Sequence, residues 1–221
     1  MNKIRFKKLR LWLAYPAFIV FPLVARVTDA SLWAGIGLMV LGMLVRFWAS
    51  GYITKSRVLT SSGPYAHTRN PLYLGNFLLG LGVVVVAHNA WLVLYYSAAF
   101  LVVYAGTIQE EQKVLEEKFG NDYRAYLKNV PVFFPRLRPF RASDKQVFRL
   151  RQSFQNGEFI RIFGFSLLAV FLFLWHVLAI KKQGWSGPVI LGLILFMVFS
   201  AFLCFNIIIR RRSEKQWQHK P

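Results

Sequence analysis

The chain has 221 residues, of which 56% are hydrophobic, 21 are Phe and only 17% are charged, whereas a soluble domain carries roughly a quarter of its residues as charges. This excludes an ordinary soluble protein, and charges confined to short segments between apolar blocks point to a single membrane domain over residues 1–221. The formal net charge of +19 is spread over membrane-flanking segments, which fits anionic lipid headgroups and argues against nucleic acid.

Apolar blocks follow in chain order at Leu11 to Ala25, Ala30 to Ile53, Leu72 to Ala87, Ala90 to Ile108, Ile160 to Ile180 and Val189 to Ile209. A helix crossing the hydrocarbon needs about 20 apolar residues, with roughly 17 as the lower limit. The last three blocks are long enough, whereas the first and third are short and need basic and aromatic flanks that snorkel to the interface. The runs are continuous rather than alternating, which excludes a closed barrel and leaves helices to satisfy the backbone in lipid. The expected fold is all-α, a polytopic transmembrane bundle of about six spans.

Cations cluster at Lys3, Arg5, Lys7, Lys8 and Arg10, at Lys55, Arg57 and Arg69, between the fourth and fifth blocks, and at Arg210, Arg211 and Arg212. The opposite loops carry little more than Arg26, Lys181 and Lys182. The positive-inside rule then places both termini in the cytoplasm. The basic and then apolar N-terminus also has the form of a secretory signal. No A-x-A-like site follows closely, and cleavage would spoil the charge topology, so the first block is expected to stay. Cys204 is the sole cysteine, which rules out a disulfide within the chain and cysteine metal sites. His67, His88, His176 and His219 have no metal-ligand spacing, and no metal site is expected.

Arg46 lies within the second block, where an ionisable residue is costly and marks a functional hypothesis. Two readings stand: it snorkels to headgroups, or it faces the bundle and neutralises an acidic substrate group, with Trp48 lining the same vestibule. Gly35 and Gly37 in this block, and Gly75, Gly80 and Gly82 in the next, read as close helix packing, since no strand precedes them to form a phosphate loop. Gly187 to Gly192 and Ser200 read the same way.

The segment from Gly63 to Gly75, Gly-Pro-Tyr-Ala-His-Thr-Arg-Asn-Pro-Leu-Tyr-Leu-Gly, puts a turn, a cation and two phenols where a membrane helix starts. Pro71 suits the first helical turn, where its missing N–H costs nothing. The free N–H groups of that turn, together with Arg69, can receive an anionic or polar ligand group. Further on, Glu110 to Gly120 continues the fourth span into a polar helix. Val114, Leu115 and Phe119 are placed to pack it back on the bundle, with Glu111 on that buried side and Glu116 and Glu117 toward water. Gly120 stops the helix, Tyr123 and Tyr126 mark a short turn, and Pro131 and Pro135 bracket a cap over the cytoplasmic end.

In order and spacing these two segments resemble the integral membrane methyltransferases typified by isoprenylcysteine carboxyl methyltransferase and, more distantly, the phospholipid N-methyltransferases. The matching residues are Gly63, Tyr65, Arg69, Pro71, Tyr73 and Gly75, then Glu110, Glu111, Phe119, Gly120, Tyr123, Tyr126, Val130 and Pro131. The resemblance covers residues 46–135 as a methyltransferase core and leaves residues 158–210 as two additional C-terminal spans without a readable motif. Asn70 stands where the commoner member has His, and Asn cannot carry a proton. That departure points to a bacterial-type relative, in a bacterial inner membrane, rather than the eukaryotic prenyl-protein enzyme.

The resemblance implies S-adenosylmethionine as methyl donor, bound by Leu59, Thr60, Tyr65, Arg69, Asn70, Pro71, Leu72, Tyr73, Glu110 and Glu111. It implies a lipophilic acceptor entering from the bilayer, and catalytic residues are not assigned. The bland alternatives are a topological cation at Arg69, interfacial belt residues at Tyr65 and Tyr73, and a helix cap at Glu110. His67 is the sole base candidate within the motifs, which tilts the reading toward a carboxylate acceptor. Phospholipid N-methylation is the alternative, and a sterol-reductase-like NADPH oxidoreductase or an inactive scaffold are others.

Overall fold

The structure, a computed structural model, describes residues 20–21, 23–53, 58–141, 146–182, 184 and 186–218, with side chains as far as residue 203. The first expected span, Leu11 to Ala25, lies largely outside the described residues, as do Lys3 to Arg10, Lys55, Arg57 and His219. The elements in order are α1 (Asp29–Ser50), a 3-10 turn (Gly63–Ala66), α2 (Pro71–Val86), α3 (Ala90–Asn129), α4 (Leu150–Gln155), α5 (Glu158–Trp175) running into a π turn (His176–Ile180), and α6 (Gly187–Gln218). The described residues are all-helical, with no strand among them. Among the described residues, three helices are long and apolar enough to cross a membrane: Asp29–Ser50, Ala90–Asn129 and Glu158–Ile180. Pro71–Val86 and Gly187–Leu203 are shorter apolar helices. At 1.5 Å per residue α2 spans about 24 Å, below the roughly 30 Å of the hydrocarbon core.

The chain divides into two compact units, Met1–Asn156 and Gly157–Pro221. In the first, α1 begins with a capping box in which Thr28 and Ser31 satisfy each other's backbone N–H groups. Its buried residues Leu32, Gly35, Met39, Gly42, Arg46 and Ala49 recur at helical spacing and face α2. The two helices run antiparallel with glycines opposed. A Cβ built on Gly82 would lie 2.5 Å from the Gly35 carbonyl oxygen, and one on Gly42 would lie 2.8 Å from the Gly75 carbonyl oxygen. Ser31 extends the seam by donating to the Val86 carbonyl at 3.1 Å. Packing by Gly35, Gly75 and Gly82 agrees with the sequence. Gly37 does not, since a Cβ there would meet open space, because it lies on the opposite side of α1. Gly80 packs against the Tyr96 ring of α3, whose hydroxyl donates to the carbonyls of Asn76 and Phe77.

At the other end of α2, Asn89 caps α3 by accepting from the N–H groups of Trp91 and Leu92. α3 breaks at Gly120, whose φ of 53° and ψ of −123° lie outside what a residue with a side chain tolerates. Helix resumes beyond it, so the expected stop is a break and restart. Tyr123, Tyr126 and Val130 then form a buried cluster with Leu59, Leu115 and Phe119. Val114 is not part of that packing and is 58% exposed, as the helix turns Leu115 inward instead.

The stretch before and through α4 covers the C-terminal end of α1. Ser153 donates to the Phe47 carbonyl at 3.2 Å, Asn156 to the Ser50 carbonyl at 2.9 Å, and the Arg149 N–H to the Gly51 carbonyl at 3.0 Å. These bonds satisfy carbonyls that a helix end leaves without partners.

In the second unit α5 starts after Gly157, with Glu158 buried and paired to Arg161 at 2.6 Å. Phe163 meets Phe199 and Phe202 of α6, and Gly192 lets Leu174 approach. Gly187, in contrast, has open space around it.

Candidate functional site

The two motif segments, distant in sequence, are tied by main-chain and side-chain hydrogen bonds. Arg69 N–H donates to the Pro131 carbonyl at 2.9 Å, Arg136 N–H to the His67 carbonyl at 2.9 Å, and Phe140 N–H to the Ala66 carbonyl at 2.9 Å. The buried Thr68 hydroxyl donates to the Phe133 carbonyl at 3.0 Å. Tyr126 donates to the Tyr65 carbonyl at 2.7 Å. The cap expected from Pro131 and Pro135 is therefore built as a strap along residues 65–70.

Pro71 opens α2 and is fully buried. Asn70 sits at the N-cap but makes no side-chain cap; its amide donates to the Val132 carbonyl at 2.9 Å. The first turn of α2, which follows Arg69, thus has no side-chain cap. Burial has no hydrogen-bond compensation at Arg69 Nε, and the same holds for Glu110 Oε1. A buried orphan of each sign is costly in a folded chain and suits a ligand that brings the complement.

Tyr73 donates to Glu111 Oε1 at 2.8 Å, joining α2 to α3. Glu111 is exposed rather than on a buried side, because its carboxylate leans toward Tyr73 instead of Leu115. The Tyr73 ring also meets Tyr104 at 4.9 Å, and Tyr104 stacks on Phe100 at 4.1 Å. Phe133, from the strap, reaches Phe77 at 5.6 Å and Phe100 at 6.0 Å. An aromatic wall therefore descends from the polar pair between α2 and α3.

Tyr123 lies in the polar extension beyond Gly120, outside the apolar part of α3. Burial raises its phenol above the ordinary value, the Arg69 charge opposes this, and Glu111 and Glu116 add to it. Arg69 and Glu111, from the two motifs, thus act on one hydroxyl. Glu116 is held outward by Arg124 at 2.8 Å, and Glu117 is exposed.

Leu59 and Thr60 precede the 3-10 turn. The Leu59 carbonyl accepts from the Gln146 side chain at 2.7 Å, and Leu59 packs on the Tyr123 and Tyr126 cluster. Leu72 is half-buried, and its carbonyl accepts from Arg46 at 3.3 Å.

Arg46 and Trp48 do not share a surface. Arg46 is buried and donates to Asn76 Oδ1 at 2.6 Å, clamping α1 to α2. Of its two sequence readings, the bundle-facing orientation is the one present. Trp48 points the other way and lines a cleft of about 620 Å³ with Gly63, Ala66, His67, Phe140 and Arg141. His67 Nδ1 lies 2.8 Å from the Arg136 carbonyl, which in the neutral ring puts the proton on Nδ1 and the lone pair on Nε2.

Asn76, Thr68 and Gln146 were not singled out from sequence. Each is a polar residue in an apolar or loop context whose partner is a backbone carbonyl or a side chain distant in sequence, so no local pattern marks it.

The phospholipid methyltransferase family model matches residues 30–122, a stretch that holds α1, α2 and the Tyr73–Glu111 contact. Over 155 residues the chain is 30% identical to the cobalt-zinc-cadmium resistance protein CzcN of Cupriavidus metallidurans, covering 65% of this chain and 71% of that protein. The chain belongs to the isoprenylcysteine carboxyl methyltransferase and phospholipid methyltransferase family. It is also 32% identical over 121 residues to the nickel-cobalt-cadmium resistance protein NccN of Alcaligenes xylosoxydans xylosoxydans, covering 51% of this chain and 56% of that one. To the protein-S-isoprenylcysteine O-methyltransferase of Schizosaccharomyces pombe it is 32% identical over 81 residues, covering 37% of this chain and 34% of that enzyme. The match thus spans little more than half of NccN and a third of the yeast methyltransferase. No solved structure matches. The family's second acidic motif, Glu110 and Glu111, and its first, through Tyr73, both fall inside the matched stretch.

Proposed function

We propose that this chain is an S-adenosylmethionine-dependent methyltransferase acting on a lipophilic, membrane-partitioned acceptor, of the isoprenylcysteine carboxyl O-methyltransferase type. The observation that carries the reading is the convergence of the two motifs at one end of α2, with Tyr73 bonded to Glu111 and with orphaned polar atoms on Arg69 and Glu110. Bound there, S-adenosylmethionine supplies an electrophilic methyl group on a sulfonium. Arg69 and the positive N-terminal end of α2 are suited to its carboxylate. Glu110 and Glu111 are suited to accept from its amino group or ribose hydroxyls, and Leu59, Thr60, Tyr65, Asn70 and Pro71 frame the pocket.

Methyl transfer calls for alignment and exclusion of water, not a covalent protein nucleophile. The wall of Tyr73, Tyr104, Phe100, Phe77 and Phe133 suits both, with the acceptor approaching from the bilayer side. A second reading, phospholipid N-methylation, is favoured by the match of residues 30–122 to the phospholipid methyltransferase family model. On our reading the chain is one membrane domain of about six spans, with residues 46–135 as the methyl-transfer core. The α3 extension is cytoplasmic, both termini are cytoplasmic, and the membrane is a bacterial inner membrane.

The test is to incubate membranes containing the protein with donor radiolabelled in its methyl group. Label entering a lipid-extractable product, and absent without the protein, is the expected result. Label confined to water-soluble molecules, or none, removes the reading. A melting shift with NADPH in place of S-adenosylmethionine would substitute the oxidoreductase alternative.

A further inference from the structure

Throughout α2, and through α3 from Ala90 to Gln109, no Asp, Glu, Lys, Arg or His occurs. Glu110 and Glu111 are the first carboxylates at the end of this stretch. Phe100, Tyr104 and Glu111 follow one another at four- and seven-residue steps, which keeps them on one face of α3. Contacts show that this face looks at α2: Phe100 meets Phe77 at 5.1 Å, Tyr104 meets Tyr73 at 4.9 Å, and Glu111 accepts from Tyr73 at 2.8 Å. Phe100 is buried and stacks on Tyr104 at 4.1 Å, so the Tyr104 ring is backed on one face. Tyr104 and Tyr73 themselves are half-buried. Two partly open rings therefore stand beside a carboxylate, with only uncharged residues of α2 and α3 beyond them.

A cation held in such a place loses its water and has little to replace it. The face of an aromatic ring replaces part of that loss when the charge lies within about 6 Å of the ring centre. Tyr73 is the stronger for its bond to Glu111, since a phenol that donates to a carboxylate takes on some of its negative charge. An anion gains nothing from these rings and is repelled by Glu111. The methyl-transfer reading brings one cation here. The donor's carboxylate is assigned to Arg69 and its amino group or hydroxyls to Glu110 and Glu111, while the acceptor approaches along the aromatic wall. The sulfur that faces the acceptor then faces Tyr104.

We propose that Tyr104, backed by Phe100 and set edge-on to Tyr73, recognises the positive charge on the sulfur of the methyl donor. The inference rests on the methyl-transfer reading and adds to it a residue that lies outside both sequence motifs. Its consequence is a difference between donor and product. The donor is a sulfonium and the spent nucleotide a neutral thioether, so the rings favour the first and are indifferent to the second. Adenine stacked on Tyr104 gives no such difference, because both nucleotides carry the same base.

The experiment measures equilibrium binding of S-adenosylmethionine and of S-adenosylhomocysteine to the full chain in detergent, with no acceptor present. Tyr104→Leu is expected to weaken binding of the sulfonium about 5- to 30-fold, the worth of a desolvated cation on a ring, and to leave the affinity for the thioether in place. Tyr104→Phe, which keeps the ring, is expected to retain both affinities. Equal weakening of the two nucleotides in Tyr104→Leu assigns the residue to adenine stacking or to packing and overturns the proposal. An unchanged sulfonium affinity in that variant, or a lost one in Tyr104→Phe, overturns it as well. Should Tyr104→Leu not fold, phenylalanines of increasing fluorination placed at position 104 keep the shape of the ring and drain its negative face. Sulfonium affinity must then fall along the series while thioether affinity holds, and a flat series overturns the proposal. Binding of neither nucleotide to the unaltered protein removes the methyl-transfer reading and this inference together. Binding of both, in a ratio that Tyr104 does not alter, removes this inference alone.

Discussion

Tyr73 is the residue at which the two motifs meet, since its hydroxyl holds the Glu111 carboxylate while its N–H belongs to the uncapped first turn of α2. A hydrogen bond to a charged partner is worth about 1.5–3 kcal/mol where water is excluded, and Arg69 offers such bonds to a carboxylate. Arg69→Ala is therefore expected to weaken binding of labelled S-adenosylmethionine by ~10- to 100-fold. Unchanged affinity would take Arg69 out of the site. Tyr123 offers a pH readout on the same end of the molecule. Its phenol is raised from the ordinary 10.0 by burial, Arg69 opposing and the two carboxylates adding. A raised pKa means that the folded state holds the proton longer, so this stabilisation is complete below the unfolded value of about 10 and is lost as pH rises through the folded one. Melting temperature is expected to fall on going above pH 10, and to fall less steeply in Tyr123→Phe; identical slopes would show that Tyr123 is not coupled to folding.

At the level of helices, α1 and α2 are held by backbone approach rather than by interlocked large side chains. Gly35 faces Gly82 and Gly42 faces Gly75, at distances that leave no room for a methyl group. Gly82→Ala is expected to cost about 1–3 kcal/mol through overpacking, read as a lower melting temperature in detergent. Gly37→Ala, on the side of α1 away from α2, is the matched control and should change little. Gly120 is the other element-scale position, because its backbone angles are reserved for glycine. Gly120→Ala is expected to cost about 1–3 kcal/mol. If the break in α3 matters to the site, that variant will also bind labelled S-adenosylmethionine more weakly; native binding would confine its role to stability.

For the whole molecule, the charge bias predicts that residues 120–156 and both termini share one side of the membrane. A cysteine introduced at exposed Asn121 or Arg138 is expected to react with an impermeant maleimide in inside-out vesicles and not in intact cells, and the reverse labelling would invert the topology. The all-helical class and the close packing at Gly35, Gly75 and Gly82 were legible along the chain, because continuous apolar runs and small residues within them are local signals tied to the helical repeat. So was the likeness of the two motifs to a methyltransferase family. The outward turn of Glu111, the exposure of Val114 and the open space at Gly37 were not, since a helical register says which residues share a face but not which face finds a neighbour. Composition and pattern on their own determined that this chain lives in a bilayer and which short segments carry polar chemistry. Only the tertiary structure decided that Arg46 clamps α1 to α2 through Asn76, that the 131–140 strap is bonded along residues 65–70, and that Tyr73 reaches Glu111. These are contacts between residues some 30 to 70 positions apart, and the hydrogen-bond geometry that makes them exists only after the helices have packed.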